Sequence, residues 1–204
     1  MKTDTVGERK SGRCLKVGAA LCGEFLRADR GLALPPAAYI GRFSARELSD
    51  AFPPKKKNSN KGSYGRAGIL AGSRAYSGAA LLSAGAALRA GAGYTRLFCP
   101  ESVFPYYIGK YPELILTPMP DLEGHLRFDE NAVRKLSENS DALAVGMGCG
   151  VTLDLSERLG LLLSEFKGTL VLDEDALGAP ATSDTDTLRE KACRVILRPH
   201  WNVF

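Results

Sequence analysis

The 204-residue chain has two histidines, His125 and His200, and five cysteines, Cys14, Cys22, Cys99, Cys149 and Cys193. The cysteines are scattered, odd in number and never arranged as C-x-x-C, so metal-ligand spacing is missing and reduced thiols in a cytoplasmic compartment are expected. No long apolar run is present either. The longest small-residue stretch, 78–93, is too rich in glycine and alanine and is broken by Arg89, while MKTDTVGERKSGR at the amino end has no apolar core after its charges. Neither a membrane span nor a signal peptide is expected. Aromatic residues do not interleave with Lys55, Lys56 and Lys57, which argues against a nucleic-acid face and for a basic linker. A patch that steers anionic ligands is the alternative.

What the chain does have is glycine at the ends of short apolar runs. With 45% apolar residues it can bury one core, which sets one domain and a small appendage as the expectation. Residues 1 to about 40 are weakly patterned, with a mixed run at Leu15 to Leu26 and two prolines in L-A-L-P-P-A-A-Y that stop any regular element. Ser44 followed by Glu47 is a capping-box signal for a short helix ending near Phe52, and 53–62 reads as linker.

From Arg66 onward, β-like runs at 67–71, 94–98, 113–117, 142–145, 169–173 and 193–197 alternate with helical candidates at 78–90, 129–138, 153–165 and 184–191. Apolar strands spaced by helices predict an α/β fold, a mostly parallel sheet of about six strands flanked by helices on both faces. The final run is followed only by R-P-H-W-N-V-F, so a sheet incomplete at its C-terminus is expected, with a natural edge strand as the alternative.

Three segments at strand ends carry candidate chemistry. G72-S-R-A-Y-S-G-A-A80 offers amides, two hydroxyls and Arg74 ahead of a helix of very small side chains; it reads as the floor of a phosphate- or ribose-binding pocket, or as a tight helix-on-sheet contact. G146-M-G-C-G150 is a second glycine turn, and neither turn matches a Walker or a complete G-x-G-x-x-G motif. D173-E-D175 reads either as a group for a substrate hydroxyl or Mg²⁺, or as helix capping. His200 is a candidate hydrogen-bonding imidazole or a solvent-exposed turn residue. His125, in a surface turn before a helix, is given no chemistry. Cys149 fills a small space between glycines, and nucleophilic catalysis is not expected of it because no histidine partner is near in sequence.

As an ordered set these pieces resemble the ADP/ATP-dependent NAD(P)H-hydrate dehydratase family, of ribokinase-like fold. The segments are K61-G-S-Y-G65, I69-L-A-G-S73, Y76-S-G-A-A80, A87-L-R-A-G-A-G93, the run P-E-L-I-L from Pro112 to Leu116, D141-A-L-A-V-G-M-G-C-G150, L170-V-L-D-E-D-A-L177 and the pair Pro199 and His200. The resemblance implies repair of nicotinamide dinucleotides, in which ADP or ATP with Mg²⁺ drives removal of water from NAD(P)H-hydrate. It places Ala79, its neighbour Ala80, Gly148 and His200 in the substrate pocket, and it assigns no catalytic residue and no protein metal ligand. Residues 44–204 are expected to be a partial dehydratase domain that stops before the family's nucleotide-binding and catalytic loop. Residues 1–43 are expected to be an extension, or the remnant of a fused NAD(P)H-hydrate epimerase domain, since Gly18 to Pro35 looks like the end of one; epimerase activity is not expected. Departures from the family pattern are Met147 for proline, Glu174 for alanine, Gly178 for asparagine and Arg198 for threonine. A small-molecule kinase of the same fold and a non-catalytic nucleotide-binding or assembly module are the other readings. Small nicotinamide dinucleotides are the expected partners, with no nucleic acid and no membrane, and a homo-oligomer is left open.

Overall fold

The computed structural model describes residues 2–6, 24–28, 44–52, 57–127, 129–177 and 191–198. They fall into two units, Met1–Lys55 and Lys56–Phe204, and the division lies inside the stretch that the sequence marks as linker. In the first unit, strands β1 (Lys2–Val6) and β2 (Glu24–Ala28) pair in parallel, Lys2 opposite Glu24 and Val6 opposite Ala28. Neither strand is signalled by local patterning; β1, K-T-D-T-V, is mostly polar, and its partner lies far along the chain. Helix α1 (Ala45–Ala51) begins at the expected capping box: the Glu47 amide donates to Ser44 Oγ at 3.2 Å, and the Glu47 carboxylate accepts from the Ser44 amide at 2.7 Å.

The second unit is built on a six-stranded sheet in which every pairing is parallel. Its strands are β3 (Arg66–Leu70), β4 (Tyr94–Pro100), β5 (Ile115–Met119), β8 (Ala142–Val145), β9 (Thr169–Leu172) and β10 (Arg194–Leu197), in the order β10-β9-β8-β3-β4-β5. A two-stranded antiparallel hairpin, β6 (Asp121–Leu122) and β7 (His125–Leu126), leads out of β5. The helices are α2 (Ser77–Ala90), α3 (Phe104–Tyr107), α4 (Glu130–Glu138), α5 (Leu153–Glu165) and α6 (Glu174–Leu177). The candidate helix at 184–191 lies outside the described residues except for Lys191, which is not helical.

Neighbouring residues of one strand enter opposite cores, as the pleat requires. Ile69, Leu97 and Ala144 pack with Ala80 and Ala84 of α2 and with Tyr107 of α3, whereas Leu70, Phe98 and Val145 pack with Val133 and Leu136 of α4 and with Leu159 and Leu162 of α5. Helices therefore cover both faces, which is why the strands read as continuous apolar runs. The third strand begins two residues later than the sequence suggests. Pro112 and Glu113 sit in a turn closed by Leu114 N–H to Tyr111 C=O at 3.1 Å, and Pro118, which has no N–H to give, lies in β5, an edge strand among the described residues. Among the described residues no helix is long and apolar enough to cross a membrane.

Candidate functional site

The sheet order reverses between β3 and β8. From β3 the chain goes outward to β4 and β5; when it returns, β8 pairs with the other side of β3 and is followed outward by β9 and β10. The connections leaving β3 and β8 thus start at the switch point of the sheet, on the carboxyl edge where open parallel sheets take ligands. Both glycine turns singled out from sequence stand at this switch point.

The two turns are tied together by backbone. The Gly72 amide donates to the Met147 carbonyl at 3.0 Å, and the Gly146 amide donates to Leu70 C=O at 3.3 Å. Gly146, Gly148 and Gly150 all have positive φ, at 113°, 70° and 76°, so this turn depends on residues without a Cβ. Gly148 needs it for a second reason. A Cβ there would lie 2.7 Å from Tyr76 C=O, 2.8 Å from Tyr76 Cβ and 3.0 Å from Ala79 Cβ. Gly148 and Ala79 are therefore neighbours at the start of α2, and both are half-buried. Ala80 is fully buried beneath Gly72, where a Cβ on Gly72 would come within 3.2 Å of it, so it supports the turn from the core side. His200 lies outside the described residues.

The Ser73 hydroxyl in the first turn is structural. Ser73 is fully buried, and its Oγ accepts from the Tyr76 amide at 3.3 Å, which fixes the entry to α2 in place of exposing a polar group to ligand. The Ser77 carbonyl accepts from Tyr107 Oη at 3.2 Å, and burial pushes the Tyr107 phenol above its ordinary value. Arg74 and Tyr76 remain exposed at the rim, Tyr76 at 64%.

The acidic strand end divides its work. Asp173, 8% exposed, pairs through Oδ1 with Arg198 Nη1 at 2.8 Å, and Asp175 Oδ2 accepts from the Gly150 amide at 2.9 Å. One carboxylate is paired with a cation, and the other braces the glycine turn. Alternation does not persist past Leu172, because the strand ends there and α6 begins at Glu174. The Cys149 thiol is buried, is pushed up to about 12 by that burial, and donates to Leu70 C=O at 3.4 Å. A thiol held so high is a poor nucleophile at neutral pH. Among the described residues no group of three His, Cys, Asp or Glu side chains is placed to hold a metal ion.

One contact to the second glycine turn was missed by sequence reasoning. His125, expected to be a surface residue, is half-buried with Nδ1 3.2 Å from the Cys149 carbonyl. The available signal was Glu123-Gly124 between D-L and H-L, a hairpin turn that brings the following residue back to the sheet edge.

A family model described as NAD(P)H-hydrate dehydratase matches residues 67–204. Among curated proteins, the bifunctional NAD(P)H-hydrate repair enzyme Nnr of Thermofilum pendens is 31% identical over 202 residues, covering 97% of this chain and 38% of that protein. The enzyme of the same name from Dictyoglomus turgidum is 35% identical over 133 residues, covering 64% and 26%. Among solved structures, a ribokinase-like superfamily protein from Enterococcus faecalis superposes with a TM-score of 0.63 at 19% identity, over 83% of this chain and 58% of that one. The ADP/ATP-dependent NAD(P)H-hydrate dehydratase from Bacillus subtilis, co-crystallized with ATP/Mg²⁺, superposes with a TM-score of 0.60 at 25% identity, over 78% and 53%. The chain spans roughly a quarter to two fifths of the length of these curated relatives.

Proposed function

The chain belongs to the NAD(P)H-hydrate dehydratase family, and from that premise we propose that the switch point at its two glycine turns takes NAD(P)H-hydrate. The observation that carries this reading is that both glycine turns leave strands at the switch point of the sheet, where the left-handed Gly148 packs directly on Tyr76 and Ala79 at the start of α2. In this reading Ala79 and Gly148 line the pocket, Ala80 supports it from below, and His200 contributes from beyond β10.

The reaction proposed for the whole site is ADP- or ATP-driven removal of water from the hydrated nicotinamide ring, in a cytoplasmic setting. Among the described residues no group of three His, Cys, Asp or Glu side chains is placed to hold Mg²⁺. Asp173 is already paired with Arg198, Asp175 is committed to Gly150, and the Cys149 thiol is protonated. No step is therefore assigned through those groups. The same three facts favour a second reading for this polypeptide, a module that binds the dinucleotide without turning it over.

Calorimetric titration of the 204-residue chain with NADH-hydrate tests the proposal, alongside Gly148→Val. The native protein is expected to bind and the variant to bind at least about tenfold more weakly, because a branched side chain blocks close approach to the backbone. Equal affinities would remove Gly148 from the pocket, and no binding by either would remove the pocket itself.

A further inference from the structure

The β6–β7 hairpin plays no part in the function proposed above, yet it touches both glycine turns. Its two-residue turn, Glu123-Gly124, has φ of 52° and 83°, the double positive value of the tight hairpin turns that match strand twist. The Asp121 carboxylate secures it by accepting from the Gly124 amide and from the amide and hydroxyl of Ser102, each at 2.8 Å. From this fixed turn, the Gly124 carbonyl accepts from the Arg74 amide in the first glycine turn at 3.1 Å. The next residue, His125, meets the Cys149 carbonyl in the second turn at 3.2 Å. A carbonyl can only accept, so Nδ1 carries the proton in this contact.

There is little slack on either side. A Cβ on Gly124 would stand 2.5 Å from Arg74 Cβ, and one on Gly150 would stand 2.9 Å from the His125 ring. We propose that the β6–β7 hairpin is a brace that sets the separation of the two glycine turns, and that His125 is a positioning residue acting through the Cys149 carbonyl. Its effect on substrate rests on the function proposed above, since it matters to ligand only if the two turns form the pocket; a misplacement of about 1 Å in such a frame is costly to binding and turnover.

The test uses ligand-free and ligand-bound forms of the full chain. Amide hydrogen exchange is followed in the native protein, His125→Ala, His125→Asn and His125→Gln, with Leu143 in β8 as the internal reference. Asparagine keeps a donor near the position of Nδ1, whereas glutamine carries its donor out toward the position of Nε2. The expected result is exchange of the Gly72 amide and of residues 146–150 faster by roughly fivefold in the alanine and glutamine variants, near-native exchange in the asparagine variant, and no change at Leu143. Affinity for NADH-hydrate should fall by a similar factor in the first two variants only. Unchanged exchange in His125→Ala, or equal impairment in the asparagine and glutamine variants, overturns the brace. Should the native chain bind no NADH-hydrate, the function reading fails, and the exchange measurement still decides the brace. Should His125→Ala not fold, Asp121→Asn is read in its place, with the same acceleration expected from loosening the Glu123-Gly124 turn.

Discussion

The amide of Gly72 donates to the carbonyl of Met147 at 3.0 Å, so a direct backbone hydrogen bond joins the turn leaving β3 to the turn leaving β8 at the point where the sheet order reverses. Side chains contribute nothing to that bond. Substitutions that alter backbone conformation at the two turns are therefore expected to matter more than those that alter side-chain chemistry.

Gly148→Ala is expected to destabilise the protein by about 1–2 kcal/mol, the cost of a left-handed conformation for a residue with a Cβ, plus the contact with Tyr76 C=O. Gly160→Ala supplies the opposite case. Gly160 lies within α5, and a Cβ there would meet no other atom within 4 Å, so stability should rise by about 0.5–1 kcal/mol. Urea denaturation of both variants measures the contrast; changes of the same sign would contradict it.

The pair Arg66 and Asp141 sits at the opposite, amino edge of β3 and β8. Arg66 donates to the Asp141 carboxylate from Nη2 at 2.6 Å, from Nε at 3.1 Å and from its own amide at 2.8 Å. The side-chain hydrogen bonds from Arg66, followed by the backbone one, hold the Asp141 carboxyl below its ordinary value. A depressed carboxyl stabilises the fold above its unfolded value of about 3.9 and loses that contribution as pH falls through the lower folded value. The pair is exposed, with side chains 44% and 53% accessible, which limits its worth to about 1 kcal/mol. Asp141→Asn should lower Tm by about 2–4 °C at pH 7, with the gap narrowing below about pH 4. A gap that widens in acid would show that another group dominates.

Cys149 is expected to resist alkylation. Burial pushes its thiol, and that of Cys99, up to about 12, so at pH 7.5 almost no thiolate is present. Peptide-resolved labelling with iodoacetamide should modify both residues only after denaturation. Cys149→Ala should bind NADH-hydrate within about twofold of the native chain, since the buried side chain donates to Leu70 C=O. Rapid labelling of native Cys149 would reopen a chemical role for it.

Turnover by the 204-residue chain alone is expected to be far below one per second, the low end of ordinary enzyme rates. Removing water with the help of a nucleotide requires a base and an anion hole together, and losing even one anion-hole donor costs on the order of 10² in rate. The recovery of reduced-nicotinamide absorbance in a mixture of NADH-hydrate, Mg²⁺ and ADP or ATP follows the reaction. A rate near one per second with stoichiometric use of nucleotide would place a working base in this chain.

The sequence determined the strands of the six-stranded sheet and its longer helices. Apolar runs at 67–71 and 142–145, each ending in glycine, and helical patterns at 78–90 and 153–165 follow from local periodicity and turn chemistry, and they reappear as β3, β8, α2 and α5 within one or two residues at either end. The capping box at Ser44 and Glu47 was legible because both partners lie within one helical turn. Only the tertiary structure decided which glycine turns meet, that Asp173 pairs with Arg198, and that His125 reaches the Cys149 carbonyl. Those pairs lie 24 or more residues apart in the chain, and each is set by strand order and register, which depend on how the whole sheet buries its two faces. Local pattern names the residues able to act at a strand end; the long-range packing of six parallel strands chooses their partners.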